Sequence, residues 1–426
     1  MSTRNTIEVA IEGGRRATAA PAAPLVWKFG GTSVADHDRL RAVAERMVAA
    51  QRSGRGVVAV LSAMGKSTDK LVDQAYAMSS RPPLRELDAL LSVGESISCA
   101  LASIAVAELG SHAVSLTGPQ AGIGTDARHG NARLVGIEPH RIHEALADGA
   151  IVLVTGFQGI APDGDVTTLG RGGSDASAVA VAAALDAGEC EIFTDVPAVF
   201  TADPRVVPDA RRLSSIRHEE MLEMAEAGAA VLQPRSVELA LAHGVDIHLR
   251  SSFSTEEGTW IRREAAGFEG TAEVAGIAHR REESLFAVDG AGAGVVAAAL
   301  AERAITVGAI VPTTSGVQFT APGADPVEVT AALDAVDLAA KVDEDLGSVS
   351  VVSLGMARKP DIPVRALAAL EAGGIPPRLV TTTPGRITVA VSSSRVDDAV
   401  RLLHQTFIPA AGSATVSDLH SPADAA

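Results

Sequence analysis

The chain has 426 residues, with 36 Lys and Arg against 52 Asp and Glu and a formal net charge of −16. That length allows two or three domains. The acidic balance excludes a basic field for nucleic acid or an anionic membrane surface, so any anionic ligand needs a local site. The only cysteines, Cys99 and Cys190, lie far apart without ligand spacing, which excludes a disulfide framework and a Cys-based zinc site and fits a reducing cytoplasm.

Residues 1–24 carry no apolar stretch after their basic residues and read as a tail, and no later stretch reads as long and apolar enough to span a bilayer. The first strand, Leu25–Phe29, runs into Gly30, Gly31, Thr32 and Ser33 and then into a helix. Free backbone amides and a helix N-terminus beside Lys28 make a phosphate-binding arrangement; the alternative is a lysine paired with an internal carboxylate. A strand over 56–62 leads to a helix after Thr68. The AMGKST segment between them has the tail of a P-loop, but the motif's first glycine would fall at Val60, inside the strand, so a Walker A site is excluded.

In LLSVGESIS one carboxylate, Glu95, stands among apolar neighbours. A substrate ammonium would satisfy it, as would solvent or an internal cation. After a strand over 150–155, a second glycine cluster, Gly170 to Asp175, precedes an Ala-rich helix beginning near Ala176. Arg171 in this cluster suits the two parallel hydrogen bonds of a carboxylate, and Asp175 reads as a helix cap, a catalytic group, or both. Strands follow at 191–194 and 245–250, and 254–276 reads as a connector. His129 and His248 have no second histidine at ligand spacing and read as hydrogen-bonded structural residues.

The alternation of β-branched runs and helical stretches predicts an α/β domain over 25–265, with an open, mostly parallel sheet sandwiched by helices. Beyond the connector, a β-α-β-β-α order occurs twice, predicting two small α+β units of about 65 residues each, over 276–345 and 346–411. Each is small enough to need a partner sheet. The run GAGAG at 290–294 lacks the glycine spacing of a dinucleotide site and reads as a turn. Residues 412–426 read as a second tail.

Taken together, VWKFGGTSVAD, VLSAMGKSTDKL, LLSVGESIS, GFQGIAPDGDVTTLGRGGSDASAVA and EIFTDVPAVFTADPRVVPDARRL resemble the aspartate kinase family of the amino-acid-kinase fold, in order over 25–260. The resemblance implies transfer of the ATP γ-phosphoryl group to the side-chain carboxylate of L-aspartate, with ATP and Mg2+. It makes Lys28 the phosphate-neutralising lysine, with Gly30, Gly31 and Ser33 around the phosphates and Asp175 beside the catalytic centre. Ser62 and Thr68 line the aspartate pocket, Glu95 binds the ammonium, Arg171 the α-carboxylate, and Ser174 is a nearby hydrogen-bonding neighbour. Thr194, Asp195, Phe200 and Arg205 fall on nucleotide positions. No protein metal site is implied.

The chain departs from the family where relatives commonly have GAKVL and this sequence has Gly228-Ala229-Ala230-Val231-Leu232, and where a tyrosine and a glycine are Phe200 and Ala198. Losing one charge-assisted contact costs about 1.5 to 3 kcal/mol, which weakens ATP binding without abolishing transfer. The repeats resemble tandem ACT domains, implying a homo-oligomer held through these units. Their effector turns are altered, so weak inhibition by lysine and threonine is expected. A non-catalytic partner of another kinase subunit, or a kinase of a related amino acid, are the competing readings.

Overall fold

LVWKF, VVAVL and IVLVT are continuous apolar runs, the signature of parallel strands covered on both faces. In the computed structural model, which describes residues 23–264 and 273–408, they are β1 (Leu25–Phe29), β2 (Val57–Leu61) and β6 (Ile151–Thr155). The other strands of this region are β3 (Ala113–Leu116), β4 (Ile123–Thr125), β5 (Leu134–Ile137), β7 (Gln158–Ile160), β8 (Val166–Thr168), β9 (Glu189–Thr194), β10 (Ser215–Arg217), β11 (Asp246–Ser251) and β12 (Thr259–Arg262). The helices are α1 (His37–Arg52), α2 (Ser67–Met78), α3 (Leu84–Leu91), α4 (Val93–Glu108), α5 (His140–Ala147), α6 (Gly173–Ala184), α7 (His218–Glu226) and α8 (Pro234–His243). Apart from residues 23 and 24, the tails expected from the sequence lie outside the described residues.

The main sheet has the order β10-β12-β11-β9-β1-β2-β6-β3 and is parallel except where β11 meets β12. The open, mostly parallel sheet predicted from the alternation is therefore present. Alternation along β1 and β2 explains the layers. Val26, Val58 and Val60 pack with Ala178, Val179 and Val181 of α6, whereas Trp27, Phe29, Ala59 and Leu61 pack with Met47 of α1 and Ala102 of α4. Lys28 shares its strand face with Val26, which aims it at the α6 layer. The connector read over 254–276 is partly strand, since β12 pairs with both β10 and β11.

One sequence reading is corrected here. Helices α3 and α4 join through Ser92, whose backbone is itself helical, giving 25 apolar-rich residues from Leu84 to Glu108, long enough by length and composition to cross a bilayer. Two buried carboxylates, Asp88 and Glu95, lie within this stretch, and α4 packs on α1, β3 and β6. It is a core helix of the first domain.

The C-terminal region contains β13 (Gly276–Asp289), α9 (Ala293–Glu302), β14 (Ile310–Pro312), β15 (Gly316–Thr320), α10 (Pro326–Asp334), β16 (Ala340–Val352), α11 (Asp361–Ala372), β17 (Leu379–Thr382), β18 (Arg386–Val391) and α12 (Val396–Phe407). These strands form an antiparallel sheet in the order β14-β15-β13-β16-β18-β17. The ribbon of β13 and β16 runs through both halves. Gly276–Arg280 pairs with Ser348–Val352, and after an irregularity between Arg280 and Leu285 the strand continues against Ala340–Asp343. The residue-345/346 boundary read from the repeat falls inside β16, because the two lobes share this strand, which runs on from Ala340 to Val352 through Gly347. Phe286, Leu300, Phe319 and Leu333 form the core of one lobe, and Val349, Leu370, Val389 and Leu403 that of the other.

Candidate active site

The crossover from β1 to β2 leaves β1 on one side while β9 pairs on the other, so the carboxyl ends of these strands open a crevice, the usual ligand position in such sheets. Phe29 ends β1. Gly30 N donates to Phe193 O at 3.1 Å, and Gly31–Val34 form a single 3-10 turn before Asp36 caps α1. A Cβ on Gly31 would stand 3.0 Å from Ala63 O, and Gly65 N donates to Gly31 O at 3.0 Å. The glycine turn is thereby pressed onto the loop after β2, which carries Ser62 and leads to Thr68 in the first turn of α2. Gly65, Lys66 and Ser67 start that helix and form no phosphate loop, as the strand position of Val60 requires.

Glu95 reaches the same loop from α4. Its Oε1 accepts from Ala63 N at 3.1 Å, while Oε2 is buried with no hydrogen-bond partner among the described residues. Burial pushes its carboxyl up to about 7, against the partial relief of backbone hydrogen bonds from its own amide and that of Ala63. An unpartnered, buried carboxylate oxygen is a ready counter-ion for an ammonium group.

From the opposite layer comes α6. Gly170 and Gly172 both adopt left-handed backbone (φ of 73° and 69°), holding Arg171 exposed between them. Gly172 is the helix cap, so α6 begins at Gly173, three residues earlier than the sequence indicated, and Asp175 sits in its first turn and does not cap it. Ser174 packs against Gly156, where a Cβ would lie 2.7 Å from Ser174 Cβ. Asp175 Oδ1 is 2.5 Å from Lys28 Nζ, and both residues are nearly buried, at 9% and 8% exposure. This ion pair joins the central strand to the helix N-terminus, without a hydrogen bond of regular geometry reaching Oδ1.

On the β9 side, Ser33 Oγ donates to Phe193 O at 3.3 Å, and Thr194 Oγ1 donates to Asp195 at 3.2 Å. Phe200 bridges to Arg212, and the exposed Arg205 forks onto Asp203 at 2.7 and 3.0 Å. Phe200 and Arg205 lie on the segment after β9, outside the cluster of contacts around Lys28. Ala230 is exposed between α7 and α8.

The structure also adds residues the sequence did not single out. Ser252, just past β11, donates to Ser33 Oγ at 2.6 Å. Asp88, completely buried, accepts from Gly130 N at 3.0 Å, Thr168 Oγ1 at 2.5 Å and His129 Nδ1 at 2.8 Å. Arg235 donates to Leu169 O and Ala132 O, both at 2.8 Å. Together these hold β8 and the 126–132 loop, and with them the glycine turn around Arg171. With Arg85 and Glu86 in the same short helix, the sequence offered no local signal that Asp88 is buried. His129 and His248 are both hydrogen-bonded within the fold, to Asp88 and to Glu257 O.

Residues 24–251 match the Amino acid kinase family, and residues 349–407 match an ACT domain. The aspartokinase of Mycolicibacterium smegmatis is 44% identical over 402 residues, which cover 90% of this chain and 96% of that protein. Aspartokinase 2 of Bacillus subtilis strain 168 is 42% identical over 397 residues, covering 90% and 97%. Among solved structures, E. coli aspartokinase III in complex with aspartate and ADP superimposes with a TM-score of 0.76 at 22% identity, over 90% of this chain and 99% of that one, a likeness of fold.

Proposed function

Because the chain belongs to the aspartokinases of the amino acid kinase family, we propose that the crevice between Lys28, Glu95 and the Arg171 turn is its catalytic centre. The reaction is ATP-dependent phosphorylation of the side-chain carboxylate of aspartate. That carboxylate is ionised at neutral pH, so no general base is needed. One of its oxygens attacks the γ-phosphorus, the bond from that phosphorus to the β-γ bridging oxygen breaks, and ADP leaves with the electron pair. No proton moves, and the product is the acyl phosphate 4-phospho-L-aspartate.

What the protein supplies is alignment and charge cancellation between two anions. Lys28, Gly30, Gly31 and Ser33 surround the transferred phosphoryl group, with the amide of Gly31 as donor, since the Gly30 amide is already held by Phe193 O. Glu95 takes the substrate ammonium and Arg171 its α-carboxylate, with Ser62, Thr68 and Ser174 lining the pocket. Asp175 holds the Lys28 ammonium in position. Thr194, Asp195, Phe200 and Arg205 form the nucleotide side. Mg2+ prefers phosphate and water to an all-protein cage, so it would be held mainly by the ATP phosphates, with Asp175 as the carboxylate that would approach it. When bound, it neutralises the β- and γ-phosphates.

The observation that carries this reading is Glu95 Oε2, buried without a partner among the described residues beside the loop that presses onto the glycine turn; the Lys28–Asp175 pair at 2.5 Å is the internal-carboxylate pairing the sequence left open. Trapping the acyl phosphate with hydroxylamine tests it. Wild-type protein with aspartate and ATP gives the hydroxamate, Lys28→Ala loses it, and Arg171→Ala loses affinity for aspartate. A Lys28→Ala variant as active as wild type would overturn the assignment. The enzyme works in the cytoplasm as a homo-oligomer through its C-terminal units, a reading supported by two free, buried thiols and by the edge strands β14 and β17 that end the second sheet.

A further inference from the structure

The segment after β9 belongs to two domains at once. Thr201 and His404 are buried, at 4% and 3% exposure, and Thr201 Oγ1 lies 2.9 Å from His404 Nε2 across 203 residues of chain. Every polar group of Thr201 is engaged. Its amide donates to Arg211 O at 2.9 Å, its hydroxyl oxygen accepts from Arg211 N at 2.9 Å, and its carbonyl accepts from Ile277 N at 2.7 Å. One threonine thus closes the 201–211 loop on itself, receives the start of β13 and meets α12.

Apolar packing points the same way. Ala202, Val206 and Val207 sit in the core formed by α11, α12 and the second lobe's sheet, together with Val400 and Leu403. Arg401 of α12 donates from Nε to Val206 O at 3.1 Å. A Cβ on Gly276 would approach Thr201 O to 3.0 Å, so β13 leaves no slack at this junction. Phe200 is adjacent to Thr201 and Arg205 is four residues on. Burial, together with the charge of Arg211 and against that of Asp209, holds the His404 imidazole below its ordinary range, so a neutral ring meets the Thr201 hydroxyl through Nε2.

We propose that His404 is a positioning residue for nucleotide binding: through Thr201 it fixes the 200–211 segment on helix α12, so that ATP affinity depends on the seating of the C-terminal unit. This rests on the reading of Phe200 and Arg205 as nucleotide residues, and the closing experiment separates the two. His404 touches no reacting atom and acts only through Thr201.

The test is steady-state kinetics on the full chain with Thr201→Val, Thr201→Ser, His404→Leu, the Thr201→Val/His404→Leu double variant and Arg205→Ala, each first checked by circular dichroism and thermal melting. His404→Leu raises KM for ATP by about tenfold, the loss of one buried hydrogen bond in a positioning role, and Thr201→Val by at least as much because it also leaves Arg211 N without its acceptor, in both cases with kcat and KM for aspartate changed less than twofold. Thr201→Ser keeps the hydroxyl and stays near wild type, and the double variant is no worse than Thr201→Val alone, as coupled residues require. Unchanged KM for ATP in folded Thr201→Val and His404→Leu overturns the inference, as does an equal loss in both substrates. Arg205→Ala judges the nucleotide reading by itself: an unchanged KM for ATP there removes Arg205 from the site, whatever the other variants do.

Discussion

If Glu95 takes the substrate ammonium, as proposed, it sets the cost of leaving that pocket empty. Its carboxyl is raised by burial from an ordinary 4.5 to about 7, a difference worth about 3 kcal/mol between its charged and neutral forms. The native state holds this proton more tightly than the unfolded chain. The stability it contributes is therefore complete below about 4.5, falls as pH rises towards about 7 and is lost above it. Glu95→Gln removes the charge and keeps the shape. At pH 8 the ligand-free variant is more stable than wild type by up to about 3 kcal/mol, and the gap closes as pH approaches 4.5.

Binding shows the opposite sign. Pairing with a substrate ammonium needs the ionised form, so wild-type affinity for aspartate falls about tenfold between pH 8 and pH 6. The variant loses about 3 to 5 kcal/mol of binding at pH 8, the usual effect of removing one partner of a buried pair, and its remaining affinity is flat over that range. Urea denaturation at pH 8 and pH 5, together with KM for aspartate across pH 6 to 8, measures both effects. A wild-type KM for aspartate that does not change below pH 7, or a Gln variant that binds aspartate normally, refutes the assignment of Oε2 to the ammonium.

Lys28→Met lowers kcat by about 10³-fold or more, as expected for a charge that acts on the transferred group, and leaves KM for aspartate within a few-fold. Gly172→Ala forces a left-handed backbone on an L-residue and drives a Cβ to 2.1 Å from Gln233 Cγ; hydroxamate formation falls, with aspartate KM rising more than ATP KM. Asp88→Ala strands Gly130 N and Thr168 Oγ1 in the interior and destabilises the first domain by about 3 kcal/mol, measured by urea denaturation. Lysine and threonine, singly or together at millimolar concentration, inhibit the purified enzyme only weakly; potent inhibition by either would contradict the reading of the altered turns in the C-terminal units.

Much of the centre was legible because its residues come in contiguous stretches. KFGG, GES and GRGGSD each place a charged side chain next to glycines at the start of a helix or the end of a strand, and local chemistry suffices to read them. What stayed hidden depends on sheet order. Ser33 and Ser252 meet only because β1 and β11 both flank β9, and Asp88 finds Thr168 and His129 only once α3 lies on β8. The helix start at Gly173 was missed because its cap is a left-handed glycine with no side chain to announce it. The β13–β16 ribbon was read as separate strands of successive repeats, since its irregularity falls in the charged run RREES, which contains no glycine or proline.

That ribbon limits how this enzyme can be taken apart. A cut at residue 346 would strip the second lobe of the β13 segment that lies against Ser348–Val352 and would split β16 itself. Neither lobe is a portable module. Chimeras that exchange effector responses with other enzymes must graft the whole 273–408 block and keep Thr201 and Val206 matched to the new α12, or the recipient inherits an orphaned surface where its 200–211 segment used to rest.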